Sequence, residues 1–343
     1  MRAQVLAALT SLDENASPLR AVDLPMPEPR EEEIAIRVSY CGICHTELDE
    51  IEGRMPPPVL PMILGHQVVG TVAGSGRRAG RFKIGARVGV GWIYSSCGRC
   101  PFCLNGEENL CSEFKATGRD AAGGYAEYMA VREDFAYPIP DTLADAEAAP
   151  LLCAGAIGYR SIRLAGIRNG QNLGLTGFGA SAHLVLKTVK HLYPHTAVFV
   201  FARSEEERAF ARELGACWAG AAEEQSPEKL RAIIDTTPVW KPVVASLVNL
   251  EPGGRLVINA IRKEEFDKSA LLAVNYARDL WMEKEIKSVA NVTRQDVTEF
   301  IELASAIPIK PEIQVYPLDQ ANKALKELKD RKIRGAKVLR ISS

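Results

Sequence analysis

The sequence predicts an α/β protein of two domains, one of them a doubly wound parallel sheet. Three observations carry that prediction. A chain of 343 residues is too long for one ordinary hydrophobic core. Near its middle, NLGLTGFGASAHLVLKTVKHL reads as a strand, a glycine turn and a helix, with a second apolar strand at VFVF soon after. Ahead of that region the texture is different, and it holds a tight cluster of four cysteines.

Bulk properties exclude several classes. Apolar residues make up 47% of the chain and charged residues 25%, which is ordinary for a globular protein. The formal net charge is −1, from 42 basic and 43 acidic residues, so no global field draws the chain to nucleic acid or to an acidic membrane. The opening MRAQVLAALTSLDENASPLR turns polar too soon for a secretory signal. No run approaches the roughly 18 apolar residues of a membrane span. The expected location is the cytoplasm, where the eight cysteines serve as thiols or metal ligands rather than disulfides.

Taken in chain order, the first motif is YCGICHTELDE, residues 40–50. Cys41 and Cys44 are followed by a histidine, a hydroxyl and carboxylates. A redox pair of these cysteines lacks the strand–helix–strand setting of a thioredoxin motif. LGHQVVG comes next, with His66 after a glycine and before a predicted strand. SSCGRCPFCLNGEENLC then sets Cys97, Cys100, Cys103 and Cys111 at spacing C-x2-C-x2-C-x7-C. Zinc takes four thiolates in a tetrahedron, and two-residue gaps let a tight turn present successive sulfurs to one ion. Gly98, Pro101 and the Asn105-Gly106 pair supply the turn chemistry. Four sulfurs leave no open position, so this site reads as structural. An iron–sulfur cluster is the rival, but the ferredoxin run continues with a cysteine after three residues and a proline, which are missing here.

Cys153 stands in PLLCAGAIGYRSI, at the start of a predicted helix. A catalytic zinc takes three protein ligands plus one exchangeable position, and two cysteines with one histidine are a documented set. Spacing alone does not join residues as distant as 44, 66 and 153. Cys153 could equally be a small buried hydrophobe.

The glycine turn is Gly177-Phe178-Gly179-Ala180-Ser181-Ala182, a G-x-G-x-x-A variant of the dinucleotide fingerprint. The first glycine makes the turn, and the second lets backbone approach a pyrophosphate. The last position packs helix on strand, and phosphate oxygens meet the helix N-terminus. After VFVF an NAD-binding chain carries an acidic residue for the ribose hydroxyls. Here Ala202 stands there, followed by Arg203 and Ser204. Nothing repels a 2′-phosphate, and a guanidinium is available to bind one. This favours NADP(H), with NAD(H) as the alternative. PGGRLVINA and EIKSVANV read as later strands, and ALLAVNYARDLWMEKE between them as an amphipathic helix. VYPLDQANKALKELKDRKIRGAKVLRI reads as a helix then a strand. Its lysines form a solvated helix face rather than a nucleic-acid patch.

Together these motifs resemble the zinc-dependent alcohol dehydrogenases of the medium-chain dehydrogenase/reductase superfamily. That family carries a GxCHTDL-like segment, a GHE-like segment, the four-cysteine lobe, a later cysteine or aspartate, and a Rossmann fingerprint. All stand here in the same order, over essentially the whole chain. The resemblance implies a GroES-like, β-rich catalytic domain at about 1–154 and 290–343, with the zinc lobe at about 95–113. A Rossmann domain fills 155–289. It implies two zinc ions per chain, a catalytic one on Cys44, His66 and Cys153 and a structural one on the four clustered cysteines. Cys41 becomes a packed bystander.

The implied reaction interconverts alcohols, short primary aliphatic ones above all, with aldehydes or ketones by hydride transfer to or from the nicotinamide. Thr46 matches the hydroxyl that passes the alcohol proton outward, and Asp49 the far end of that relay, where a histidine is usual. Glu47 stands where an aspartate orients the ligating histidine. Gln67 replaces a glutamate that can approach the metal in some members. His45 matches a contact to the cofactor pyrophosphate, while Trp92 and Met55 match walls that narrow the substrate pocket. A homo-oligomer, dimer or tetramer, is expected. The competing reading is a zinc-bearing, nucleotide-binding family member whose activity is lost or replaced, and Gln67 and Asp49 are the residues that favour it.

Overall fold

A computed structural model describes residues 1–307, 309–331 and 334–342. The chain divides into two compact units, Met1–Ala156 with Val292–Ser343, and Ile157–Asn291.

The first unit is β-rich. Its main sheet is organised on the strand Glu33–Ile43, which pairs antiparallel with Val68–Ser75, Tyr128–Arg132 and Ala336–Arg340. Alternation sets the face: Ile34, Ile36 and Val38 are fully buried while Arg37 is exposed. Arg87–Val90 and Ala136–Pro138 extend the sheet on one side, and Ile313–Pro317 on the other. A smaller sheet joins Leu19–Asp23, Arg2–Leu6 and Met62–Ile63. The helix Ala321–Lys329 packs Ala321, Ala324, Leu325 and Leu328 into the same core. Fully burying each of the two leucines contributes about 1.5–3 kcal/mol, and each alanine less.

The second unit is a parallel sheet of six strands. Their spatial order is Trp218–Gly220, Val198–Phe201, Leu173–Thr176, Leu230–Asp235, Leu250–Ile258 and Glu285–Ser288. Numbered within the unit this is 3-2-1-4-5-6, the doubly wound dinucleotide-binding order. Separate apolar clusters cover its two faces, one around Leu175, Val185 and Val200, the other around Phe201, Ile233 and Leu256. Burial on both faces explains why VFVF is apolar throughout.

One expected element is absent. The stretch predicted as an amphipathic helix is a 3-10 turn at Lys268–Ala273 and a π-type turn at Tyr276–Leu280. Val274 and Asn275 between them are extended, and the Asn275 side chain caps the second turn by accepting the Arg278 N–H. Leu272, Tyr276, Trp281 and Met282 are exposed. Val274 packs against the Phe201 cluster, but the exposed Leu271, Leu272, Tyr276 and Trp281 add no buried face to it, so the apolar period did not fix a helix. A strand at Ile313–Pro317, unanticipated in the sequence, also precedes the C-terminal helix.

Candidate active site

The strand pairing of the first unit brings two distant motifs to one place. Cys41 stands opposite Val68, and the Gly42 N–H donates to the Gln67 carbonyl at 2.9 Å. Cys44, just past the end of one strand, therefore lies beside His66, just before the start of the other. The turn into His66 requires glycine: Gly65 has φ +97°, and a Cβ there would stand 2.5 Å from the Tyr125 ring. Cys153 arrives on a five-residue π-type turn, Leu151–Gly155, between the helices Asp145–Pro150 and Ala156–Ala165. Such turns re-aim side chains and are frequent at functional sites. The donor atoms of Cys44, His66 and Cys153 all lie within 4.8 Å of one another.

Polar contacts orient these donors. Cys44 is the N-cap of the helix His45–Ile51, and its sulfur accepts the Thr46 N–H at 3.4 Å. Glu47, fully buried, closes the capping box by accepting the Cys44 N–H on Oε2 at 2.7 Å. Its other oxygen lies 2.7 Å from His66 Nδ1. That contact leaves Nε2 facing the sulfurs, 3.3 Å from Cys153 Sγ. One carboxylate thus steadies two of the three donors.

The electrostatics point the same way. Burial opposes a charged His66, yet the Glu47 carboxylate and the Cys44 sulfur outweigh it and hold the imidazole well above its usual value. The neighbouring Cys153 thiol, then burial, push Cys44 well up. The half-buried Cys44 thiol beside Cys153 therefore resists ionisation, and a bound divalent cation would remove that resistance.

Other sequence-predicted residues fall as follows. Thr46 is buried, with Oγ1 3.3 Å from Cys44 Sγ. Asp49, one turn further along, pairs with Arg54 Nε at 2.5 Å. His45 is exposed at the first position of the helix. Trp92 is buried and stands edge-on to the His66 ring, with centroids 4.9 Å apart. Met55 is half-buried against the core of the same unit. Cys41 is fully buried among apolar side chains.

The four clustered cysteines form a second convergence, their sulfurs all within 4.8 Å. Backbone N–H groups point into it: Cys97 donates to Cys111 Sγ at 3.5 Å and Cys100 to Cys97 Sγ at 3.3 Å. The N–H groups of Arg99 and Cys100 pull the Cys97 thiol down to about 6. Buried Glu108 anchors the lobe by accepting the Arg294 N–H at 2.6 Å and its Nε at 3.1 Å.

In the second unit, Gly177 adopts φ +77°, and a Cβ there would press on Thr236 and Thr237 at 3.0 Å. Gly179 caps the helix Ala180–Leu192 with no side-chain hydrogen bond. A Cβ on Gly179 would meet nothing within 4 Å, so the protein itself does not demand glycine there. A glycine at that place leaves room for a phosphate to approach the backbone at a helix N-terminus. Ala180 and Ser181 open that turn. Ala202 is buried, whereas Arg203 is exposed; its carbonyl accepts Arg208 Nη1 at 3.0 Å, and its guanidinium has no hydrogen-bond or ion-pair partner among the described residues. Ser204 caps the next helix, its hydroxyl accepting the Glu207 N–H at 3.2 Å.

Residues 30–141 match the alcohol dehydrogenase GroES-like domain. A probable alcohol dehydrogenase of Mycobacterium tuberculosis is 38% identical over 332 residues, covering 95% of this chain and 94% of its own. An alcohol dehydrogenase of Geobacillus stearothermophilus is 30% identical, covering 94% and 96%. The chain belongs to the zinc-type medium-chain alcohol dehydrogenase family. It is an oxidoreductase by class. A thermostable alcohol dehydrogenase from Pyrobaculum aerophilum shares the fold, with a TM-score of 0.89 and 24% identity over 99% of each chain.

Family motifs do not mark every polar residue that the site of this alcohol dehydrogenase gathers. Arg54 holds Asp49, and Glu50 is fully buried with neither oxygen hydrogen-bonded among the described residues. In the Rossmann unit, Asp235 and Lys263 form a buried pair at the carboxyl edge of the sheet. An acid closing the apolar strand LRAIID is the one sequence signal that could have pointed to it.

Proposed function

We propose that the chain is a zinc-dependent dehydrogenase that interconverts alcohols with aldehydes or ketones, using NADP(H) in preference to NAD(H). The observation that carries this reading is the convergence of Cys44, His66 and Cys153, with Glu47 setting the imidazole so that Nε2 faces the thiols. Two thiols and an imidazole are a borderline-soft donor set with one tetrahedral position left open, which fits zinc. The four-sulfur cluster leaves none and fits a structural ion.

Cys44, His66 and Cys153 would hold the catalytic ion, which when bound supplies Lewis-acid polarisation of an alcohol or carbonyl oxygen. Thr46 Oγ1, beside Cys44, takes the alcohol proton and passes it toward Asp49, whose pairing with Arg54 keeps the far end of the relay polar. His45 is exposed where a pyrophosphate contact is expected. Gly177, Gly179, Ala180 and Ser181 would receive the pyrophosphate, and Arg203 with Ser204 the 2′-phosphate. The nicotinamide supplies the hydride chemistry. Trp92 against His66, and Met55, favour short aliphatic substrates.

A homo-oligomer is supported by the edge strand Glu285–Ser288, exposed throughout beside exposed Trp281 and Met282. Antiparallel pairing of that strand with a second copy about Ile286 would set Glu285 opposite Lys287. Light scattering on the purified chain tests it.

The central test is an activity matrix on zinc-loaded protein: short primary alcohols and their aldehydes against NADP(H) and NAD(H), with metal analysis. Turnover that needs metal and is fastest with NADP(H) is expected. Metal and nucleotide binding without turnover of any pair would favour the competing reading, a binding protein.

A further inference from the structure

We propose that Lys263, through its buried ion pair with Asp235, is a positioning residue that holds the rim of the dinucleotide crevice in its binding conformation. This rests on the reading that the second unit binds a dinucleotide.

The pair sits where three strands of the parallel sheet end. Leu173–Thr176, Leu230–Asp235 and Leu250–Ile258 are neighbours, and their carboxyl ends release the segments beginning at Gly177, Thr236 and Asn259. Ligands of open parallel sheets lie across that edge. Asp235 is fully buried and the Lys263 side chain is 7% exposed. The ammonium has three donors. It spends them on Asp235 Oδ2, on the Thr237 carbonyl at 2.7 Å and on the Val239 carbonyl at 3.1 Å. Asp235 Oδ1 accepts the hydroxyls of Thr176 and Thr237, the latter at 2.7 Å. The Asn259 N–H donates to the Asp235 carbonyl at 2.8 Å, and the Glu264 N–H to the Pro238 carbonyl at 2.7 Å. Asp267 takes the N–H groups of Trp240 and Lys241 at 2.8 and 2.9 Å.

The segments at 235–241 and 259–267 are therefore laced into one block, with Lys263 at its centre. That block is also the floor of the fingerprint turn, because Gly177 rests on Thr236 and Thr237. Moving residues 236–239 would strand a buried carboxylate and a buried ammonium together, a costly state. The pair thus leaves one arrangement of the rim, and an arrangement fixed before binding costs no ordering on binding.

The test uses the zinc-loaded full chain. NADPH and NADH are titrated by nucleotide fluorescence, and 2′,5′-ADP by calorimetry, with 5′-AMP instead should NADH bind tighter. The fragment reports the adenosine half beside Arg203, away from the Lys263 block. Lys263→Met should raise the dinucleotide Kd roughly tenfold and leave the fragment Kd within about twofold. KM for the dinucleotide should rise more than kcat falls, and Lys263→Arg should recover most of the affinity. The double variant Asp235→Asn with Lys263→Met removes the stranded charge. It should regain thermal stability without regaining dinucleotide affinity. An unchanged dinucleotide Kd in Lys263→Met overturns the inference. So does parallel loss of dinucleotide and fragment that the double variant restores along with stability, since that marks a purely structural role. Wild-type protein that binds neither ligand overturns the dinucleotide reading itself, and the inference with it.

Discussion

Replacing Glu47 with alanine isolates what one buried carboxylate does for the three-donor site. The side chain is fully buried, accepts the Cys44 N–H at 2.7 Å and lies 2.7 Å from His66 Nδ1. Alanine leaves both donors unpaired, and a buried unpaired donor costs about 1–3 kcal/mol. The two losses fall on different quantities. The Cys44 N–H belongs to a helix cap, so its loss, typically about 1 kcal/mol, lowers stability with or without metal. Losing the His66 contact frees the ring and its tautomer, and supports of that kind change metal affinity by roughly 10–100-fold. The assay is competition for zinc against a graded chelator, with the four-cysteine site as an internal reference in the same chain. Glu47→Ala should release one zinc at roughly 10–100-fold lower chelator strength while the other stays put. Glu47→Gln should fall between, because an amide oxygen can satisfy only one of the two N–H groups. If the more labile zinc leaves Glu47→Ala as it leaves the wild type, Glu47 does not support the site and the reasoning fails.

Three further outcomes are expected. Arg203→Ala should lower the preference for NADP(H) over NAD(H) by roughly tenfold, the lower end for a charge-assisted bond because Arg203 is exposed, and Ala202→Asp should reverse it; kcat/KM with each cofactor checks both. Cys103→Ser should lower thermal stability and release one zinc while the remaining protein still binds nucleotide, as read by melting with metal analysis, since closed metal sites contribute folding free energy. Glu52, although burial opposes its charge, is held below its usual carboxylate value by Lys329, Arg54 and the Leu12 N–H. A carboxylate depressed in this way adds stability that is full above its unfolded pKa, about 4.3, and is lost as pH falls through the folded value. Glu52→Gln should therefore lower the melting temperature at neutral pH and narrow its difference from wild type below about pH 4.

The doubly wound unit was legible because its signals are local. A glycine turn between strand and helix, and an apolar strand soon after, need no knowledge of the rest of the chain. The four-cysteine convergence was legible for the same reason, since its two-residue gaps already confine three sulfurs to one turn. Bringing Cys153 beside Cys44 and His66 was not readable from spacing. It depends on the Cys41–Val68 register and on a π-type turn that no residue pattern announces. The helix expected over ALLAVNYARDLWMEKE failed because periodicity reports a face, and a face makes a helix only where a core receives it. Lys263 was silent because a single lysine after a strand has no motif. Its meaning lies in three acceptors drawn from a different segment.

The helix His45–Ile51 shows how the candidate site is reconciled with folding. It has only seven residues, too few to persist on propensity alone. Leu48 and Ile51 anchor it in the core, and its cap is a sulfur instead of the usual oxygen. Three of its residues are buried acids, an arrangement that weakens a fold unless each acid is compensated. Glu47 is compensated by the Cys44 N–H and by the His66 imidazole 2.7 Å away, and Asp49 by Arg54. Glu50 has no hydrogen bond to either oxygen among the described residues. Burial, then the Glu47 charge, push its carboxyl well above its usual value, which favours the neutral form over a buried charge. A sequence selected for stability alone would place apolar residues at such positions. The carboxylates instead make the cap of this helix and the orientation of His66 one structural event. Any change that frays its first turn must therefore also loosen Cys44 and His66 together.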